Sequence, residues 1–179
     1  DIAPMRRHYD AMRRWLDHLN AVAEDGIVGY GLGDWCPPGT VNPTATPVAL
    51  TSTAYYFLDA ELLSRMAQLL GRDADARNFA ALAQRIRAAF HRRFFDARRP
   101  GYGSQTADAV ALAYDLAPEE LTGAVAAALE RDLCEHDFHL TTGITGLKHL
   151  FAQLARYGYA ESAWKCLTVR GYPGLMHWL

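Results

Sequence analysis

The chain has 179 residues, half of them hydrophobic and about a fifth charged, with a formal net charge of −2. That is enough for one domain with a sizeable core. No basic stripe is present to neutralise phosphates, and no apolar run approaches the roughly 18 residues that a membrane span needs, so neither nucleic acid nor membrane is expected as a partner. Three cysteines, Cys36, Cys134 and Cys166, stand far apart with no CxxC; an odd count suits no disulfide framework and leaves the compartment open. The start, Asp1-Ile2-Ala3-Pro4, carries no initiator Met or leader-like pattern, and Trp178-Leu179 closes no helix. The chain is expected to be a piece of a larger protein.

The elements read as helical throughout. A first helix is predicted from about Pro4, a favoured first-turn residue, to about Ala23, with Tyr9, Met12, Trp15, Leu16, Leu19 and Val22 apolar. An irregular loop follows, and Thr46-Pro47 reads as the cap and first residue of a helix ending at Gly71. Further helices are predicted at about Asp73 to Phe95, from a Ser104 cap to about Leu116, from Pro118 to Glu135, at Thr141 to Tyr157 and at Tyr159 to Thr168. They alternate in polarity. Val48 to Leu70 carries only Asp59, Glu61 and Arg65, whereas the next helix sets Phe79, Leu82, Ala83, Ile86 and Phe90 against Arg77, Arg85, Arg87 and Arg92. Nearly uncharged helices are buried all round, and amphipathic ones cover them. The expected fold is all-α: an (α/α)6 toroid of helical hairpins, about half of it present. A curved solenoid also stacks hairpins in two layers, but no repeat period appears.

The loop Gly31-Leu32-Gly33-Asp34-Trp35-Cys36-Pro37-Pro38-Gly39 holds an acid beside the largest aromatic side chain. A carboxylate accepts hydroxyl protons and an indole covers a sugar's C–H face, so Asp34 and Trp35 are candidate sugar contacts; a structural corner with Trp35 packed beneath it is the other reading. Polar groups also begin the buried helices: Thr51-Ser52-Thr53 with Tyr55 a turn later, Ser104-Gln105-Thr106, and His139 to Gly143. In a toroid such starts converge on one mouth of the cavity. Each taken singly also reads as an ordinary helix cap.

No convincing pair of carboxylates for glycoside hydrolysis is present. Glu61 with Arg65 reads as an i,i+4 ion pair, Asp108 as a cavity acid or a core hydrogen-bond partner, and Glu135 with Asp137 as a solvated helix end. Cys134, His136 and His139 match no zinc spacing, and no P-loop, GxGxxG or GxSxG appears. Neither metal nor cofactor is expected.

Gly29-Tyr30-Gly31-Leu32-Gly33-Asp34-Trp35-Cys36-Pro37-Pro38 and Thr46 to Tyr56 resemble the catalytic domain of bacterial α-L-rhamnosidases, glycoside hydrolase family 78. Phe94-Phe95-Asp96, Gly103 to Ala107, His139 to Gly143 and Tyr172-Pro173-Gly174 follow in family order, so the likeness covers nearly the whole chain. The resemblance implies an (α/α)6 barrel and inverting hydrolysis of terminal α-L-rhamnosides, with one glutamic acid donating a proton and a second glutamate activating water. The family's donor motif, DxxxRDERxGWxGD, and its base-bearing stretch, GATTxWE, do not occur here, so no catalytic residue is assigned. Residues 1–179 are then expected to be part of a six-hairpin catalytic domain that supplies sugar-cavity wall, inactive alone and needing the rest of its parent. Asp34 and Trp35 lead as substrate contacts, followed by Gln105, His139 and Thr142, then His177 and Trp178. The partner implied is a rhamnose-containing glycoside or polysaccharide. The alternatives are another sugar-active (α/α)6 enzyme, and a non-catalytic helical scaffold binding carbohydrate or protein.

Overall fold

Pro4 lies in the first turn of α1 (Ala3–Val22), where its missing N–H costs no helical hydrogen bond. The computed structural model describes residues 2–178, with only the backbone given for Trp178. Six more α-helices follow among the described residues: α2 (Val48–Leu69), α3 (Asp73–Phe94), α4 (Gln105–Ala113), α5 (Thr122–Glu135), α6 (Ile144–Arg156) and α7 (Ala160–Thr168). Short 3-10 turns occupy Glu119–Leu121 and Leu175–Trp178.

Consecutive helices pair as hairpins. α2 packs along α3, α4 against α5, and α6 against α7, while α4 also packs closely on α6 and touches α2. The inner layer is therefore α2, α4 and α6, with α1, α3, α5 and α7 outside. This two-layered arc is the expected portion of an (α/α)6 toroid. Burial follows the polarity pattern in α4 and α3 but not throughout α2, which exposes Tyr55, Leu62 and Leu69 where the sequence predicts burial all round. α4 is buried at every position from Gln105 to Leu112, and its alanines let neighbours approach closely. α3 turns Phe79, Ala83, Ile86 and Phe90 inward, a spacing that places them on one face. Fully burying a side chain such as Phe90 stabilises by about 2–3 kcal/mol. Asp73 and Asp75 in its first turn and His91, Arg92 and Arg93 in its last oppose the helix dipole favourably.

Several boundaries differ from the sequence reading, the start of α5 among them, where a 3-10 turn at Glu119–Leu121 precedes Thr122; three others have a local reason. Pro47, in extended conformation, is the residue before the first turn of α2, so Thr46 lies outside and bonds Ser104 Oγ instead, at 2.6 Å. α4 stops at Ala113 because Asp115 takes a left-handed φ of 54°, and the Leu116 N–H turns back to the carbonyl of Ala111 at 2.9 Å. α6 begins at Ile144, three residues later than expected, because Gly143 and Thr141 give their N–H groups to side chains from elsewhere in the chain. α6 is also two-faced: Leu150 and Leu154 are buried, but Ile144 and Leu147 are exposed.

Candidate functional site

The 23–47 connection crosses from outer α1 to inner α2, and its tip docks on the start of α6. Asp34 makes that joint. Its Oδ2 accepts from Gly143 N at 2.7 Å and from the Thr106 hydroxyl, and its Oδ1 accepts from Gly146 N at 3.1 Å. A carboxylate at a helix N-terminus satisfies donors that the helix leaves open and opposes the positive end of its dipole. The Trp35 carbonyl adds a bond from Ile144 N at 2.8 Å. Glycine is required at 143 because a Cβ there would run into the backbone of Asp34 and Trp35. Asp34 is 3% exposed with both oxygens engaged, so it latches the loop to α6 and α4 and presents no free oxygen to a sugar hydroxyl.

Its neighbour points outward. Trp35 is 46% exposed and lines a concavity of about 320 Å³ with Leu32, Gly33, Thr51, Ser52, Tyr55, Ile144 and Thr145, a volume in the range of small-ligand sites. The walls come from the loop, the start of α2 and the start of α6, as the convergence of inner-helix starts requires. The indole, phenol and aliphatic groups make the surface mainly apolar, and three hydroxyls interrupt it. Gly33 sits in this wall with φ of 72°, and a Cβ there would meet Pro43 at 2.7 Å; glycine alone serves both needs.

The remaining predicted residues lie outside this lining. Gln105 is fully buried and braces the segment before α6: its Nε2 donates to the His139 carbonyl at 3.1 Å and its Oε1 accepts from Thr141 N at 3.0 Å. Thr142 is buried, and its Oγ1 has no hydrogen-bond partner among the described residues. His139 is half-buried beside Gly171. His177 is exposed and meets the Tyr172 ring edge to face at 5.7 Å, while the Tyr172 hydroxyl approaches Gly39 of the same loop. The Trp178 side chain lies outside the described residues. Asp108 belongs to the core on another side of α4, where it accepts from Tyr102 N at 2.6 Å; burial first, then the charge of Asp132, pushes its carboxyl up to about 7. Glu61 and Arg65 do form the i,i+4 pair, at 3.4 Å. Among the described residues no group of His, Cys, Asp and Glu is arranged to hold a metal ion, and no helix is long and apolar enough to cross a membrane.

The family model described as the bacterial alpha-L-rhamnosidase 6 hairpin glycosidase domain matches residues 1–179. The chain belongs to this family. An alpha-L-rhamnosidase of Formosa agariphila is 30% identical over 185 residues, covering 97% of this chain and 19% of that protein. The solved alpha-L-rhamnosidase of Dictyoglumus thermophilum superposes with a TM-score of 0.90 at 36% identity, over 97% of this chain and 20% of that one. The Streptomyces avermitilis alpha-L-rhamnosidase, solved in complex with L-rhamnose, gives 0.86 at 28% identity over 99% of this chain and 17% of that one. The rhamnosidase-family chain thus spans about a fifth of the length of these relatives.

Sequence reasoning missed Ile144 and Thr145 as wall residues, because both were placed inside a longer α6. For Tyr55, hydropathy alone offers no signal that separates a core position from a cavity wall.

Proposed function

We propose that this chain is part of the catalytic domain of an inverting α-L-rhamnosidase, which removes terminal α-L-rhamnose from glycosides or polysaccharides. The observation that carries this reading is the apolar concavity built around the exposed Trp35. Rhamnose is a 6-deoxy sugar, with a methyl group where most hexoses carry a hydroxymethyl. Leu32 and Ile144 suit the methyl, the Trp35 indole suits a C–H face, and the hydroxyls of Ser52 and Tyr55 suit the ring hydroxyls. The names of the relatives and the L-rhamnose bound by one of them support the same substrate class.

In this reading the residues present bind and orient the sugar. Inversion needs a protonated acid at the glycosidic oxygen and a carboxylate that activates water on the opposite face. Both would come from the rest of the protein, which would also close the ring. His139, His177 and Trp178 remain candidates for the rim, where the Tyr172–His177 segment lies beside the Asp34 loop.

The full-length protein, assayed beside residues 1–179 alone, is expected to hydrolyse p-nitrophenyl α-L-rhamnopyranoside and to release β-rhamnose first by proton NMR, with the short segment inactive. Hydrolysis of other aryl glycosides only would replace the substrate. Initial release of the α-anomer would overturn inversion, and activity in the segment would mean that the catalytic acids are here.

A further inference from the structure

Tyr55, Tyr114 and His149 come from three inner helices and meet beside the concavity. Tyr55 stands on α2 and is 39% exposed as part of the wall that also holds Trp35. Tyr114 directly follows α4, and its ring lies 5.9 Å from that of Tyr55 at 60°. Behind it, His149 of α6 places Nε2 3.0 Å from the Tyr114 hydroxyl, with the two rings edge to face at 5.0 Å. The bond to His149 fixes the Tyr114 ring, and the Tyr55 ring packs against it. Burial, the Tyr55 phenol and the Asp59 charge push the Tyr114 phenol up. Burial and Lys148 push the His149 imidazole down.

Phenylalanine at 114 would fill the same volume; what the hydroxyl adds is the bond to the α6 imidazole that fixes the ring on which Tyr55 packs. A half-exposed ring in a cavity wall is otherwise free to turn about its side-chain bonds, and ordering it only on binding costs affinity.

We propose that Tyr114 and His149 are positioning residues that hold the Tyr55 ring as a pre-set wall of the sugar concavity, and so tune affinity for the sugar ring. The proposal rests on the rhamnosidase reading above and adds residues that contribute without facing the ligand. Contacts running from His149 of α6 through Tyr114 to Tyr55 of α2 would make the wall's shape depend on how the three inner helices are set against one another.

The test uses the full-length protein with p-nitrophenyl α-L-rhamnopyranoside. Tyr114→Phe is expected to raise KM about three- to tenfold, the factor that one net hydrogen bond is worth, with kcat within about twofold. His149→Leu cuts the same bond from the other side, so the double variant should be no worse than either single one. His149→Leu should reproduce the KM rise, and His149→Gln, which keeps a donor and an acceptor, should recover most of it. Additive effects, an unchanged KM, or a fall in kcat alone would overturn the proposal. Should Tyr114→Phe melt early, His149→Leu and His149→Gln at the half-buried imidazole read the same bond. A wild type that cleaves no rhamnoside overturns the functional reading and this proposal with it, whereas an active wild type with unaffected variants overturns the positioning role alone.

Discussion

Asp34 and Trp35 are consecutive in the chain and opposite in environment. The carboxylate is buried under three donors from α4 and from the start of α6, while the indole stands in the concavity wall. Their substitutions should separate accordingly. Asp34→Ala leaves buried donors without an acceptor and should destabilise the full-length protein by about 3 kcal/mol or more. Trp35→Ala removes a half-exposed ring and should leave the melting temperature nearly unchanged while weakening L-rhamnose binding about tenfold or more. Calorimetric titration and thermal melts of both variants check this; a Trp35→Ala protein that melts early yet binds normally would make the indole structural. The residue types in this loop were legible as functional because glycine, proline, acid and aromatic together fit no helix core. Which of the two faces the concavity was not, since a one-residue step in an irregular loop reverses a side chain without changing composition.

At the scale of elements, helix existence was readable from polarity and several boundaries were not. The start of α6 is decided by Asp34 and Gln105, which lie 109 and 36 residues from the backbone groups they bind. Periodicity within a window cannot see such partners. Ser104, by contrast, caps α4 as read: its Oγ accepts from Ala107 N at 3.1 Å. One turn into the same helix, Asp108 carries a pH signature. Its carboxyl is held at about 7, against the ordinary value near 4 that it has in an unfolded chain. Between these values the folded chain keeps a proton that the unfolded chain has released, so this group's contribution is full below about pH 4 and is lost as pH rises through 7. Asp108→Asn keeps an oxygen for the Tyr102 N–H and removes the titration. The variant should gain stability relative to wild type across that window, by up to about 4 kcal/mol at the alkaline end. Melting curves of the full-length protein and the variant at pH 4.5, 6 and 8 measure the difference, and parallel pH profiles would refute it.

For the whole molecule, the alternation of nearly uncharged and amphipathic segments was sufficient to indicate two layers of hairpins, because an uncharged helix has no face it can give to water. Parts of that surface are apolar and uncovered: Trp164 is 66% exposed, Leu69 63%, Ile144 58% and Trp15 51%. Patches of this kind favour association. Residues 1–179 expressed alone are expected to dimerise or aggregate, as read by size-exclusion chromatography with light scattering, whereas the full-length protein should not do so through these faces. A cooperatively melting monomer of the isolated segment would show that these faces need no neighbour and would count against a half-ring.

By itself the sequence determined the all-helical class, the order of helices, the layer to which most of them belong and the loop that matters, because these depend on local composition and on the 3.6-residue period. Only the tertiary structure decided that Asp34 is a latch, that Gln105 is a brace, and that Tyr114 and His149 stand behind Tyr55 of the cavity wall. Those roles depend on which distant backbone or side-chain group arrives within 3 Å of each atom, and that is a property of packing, absent from any single stretch of chain.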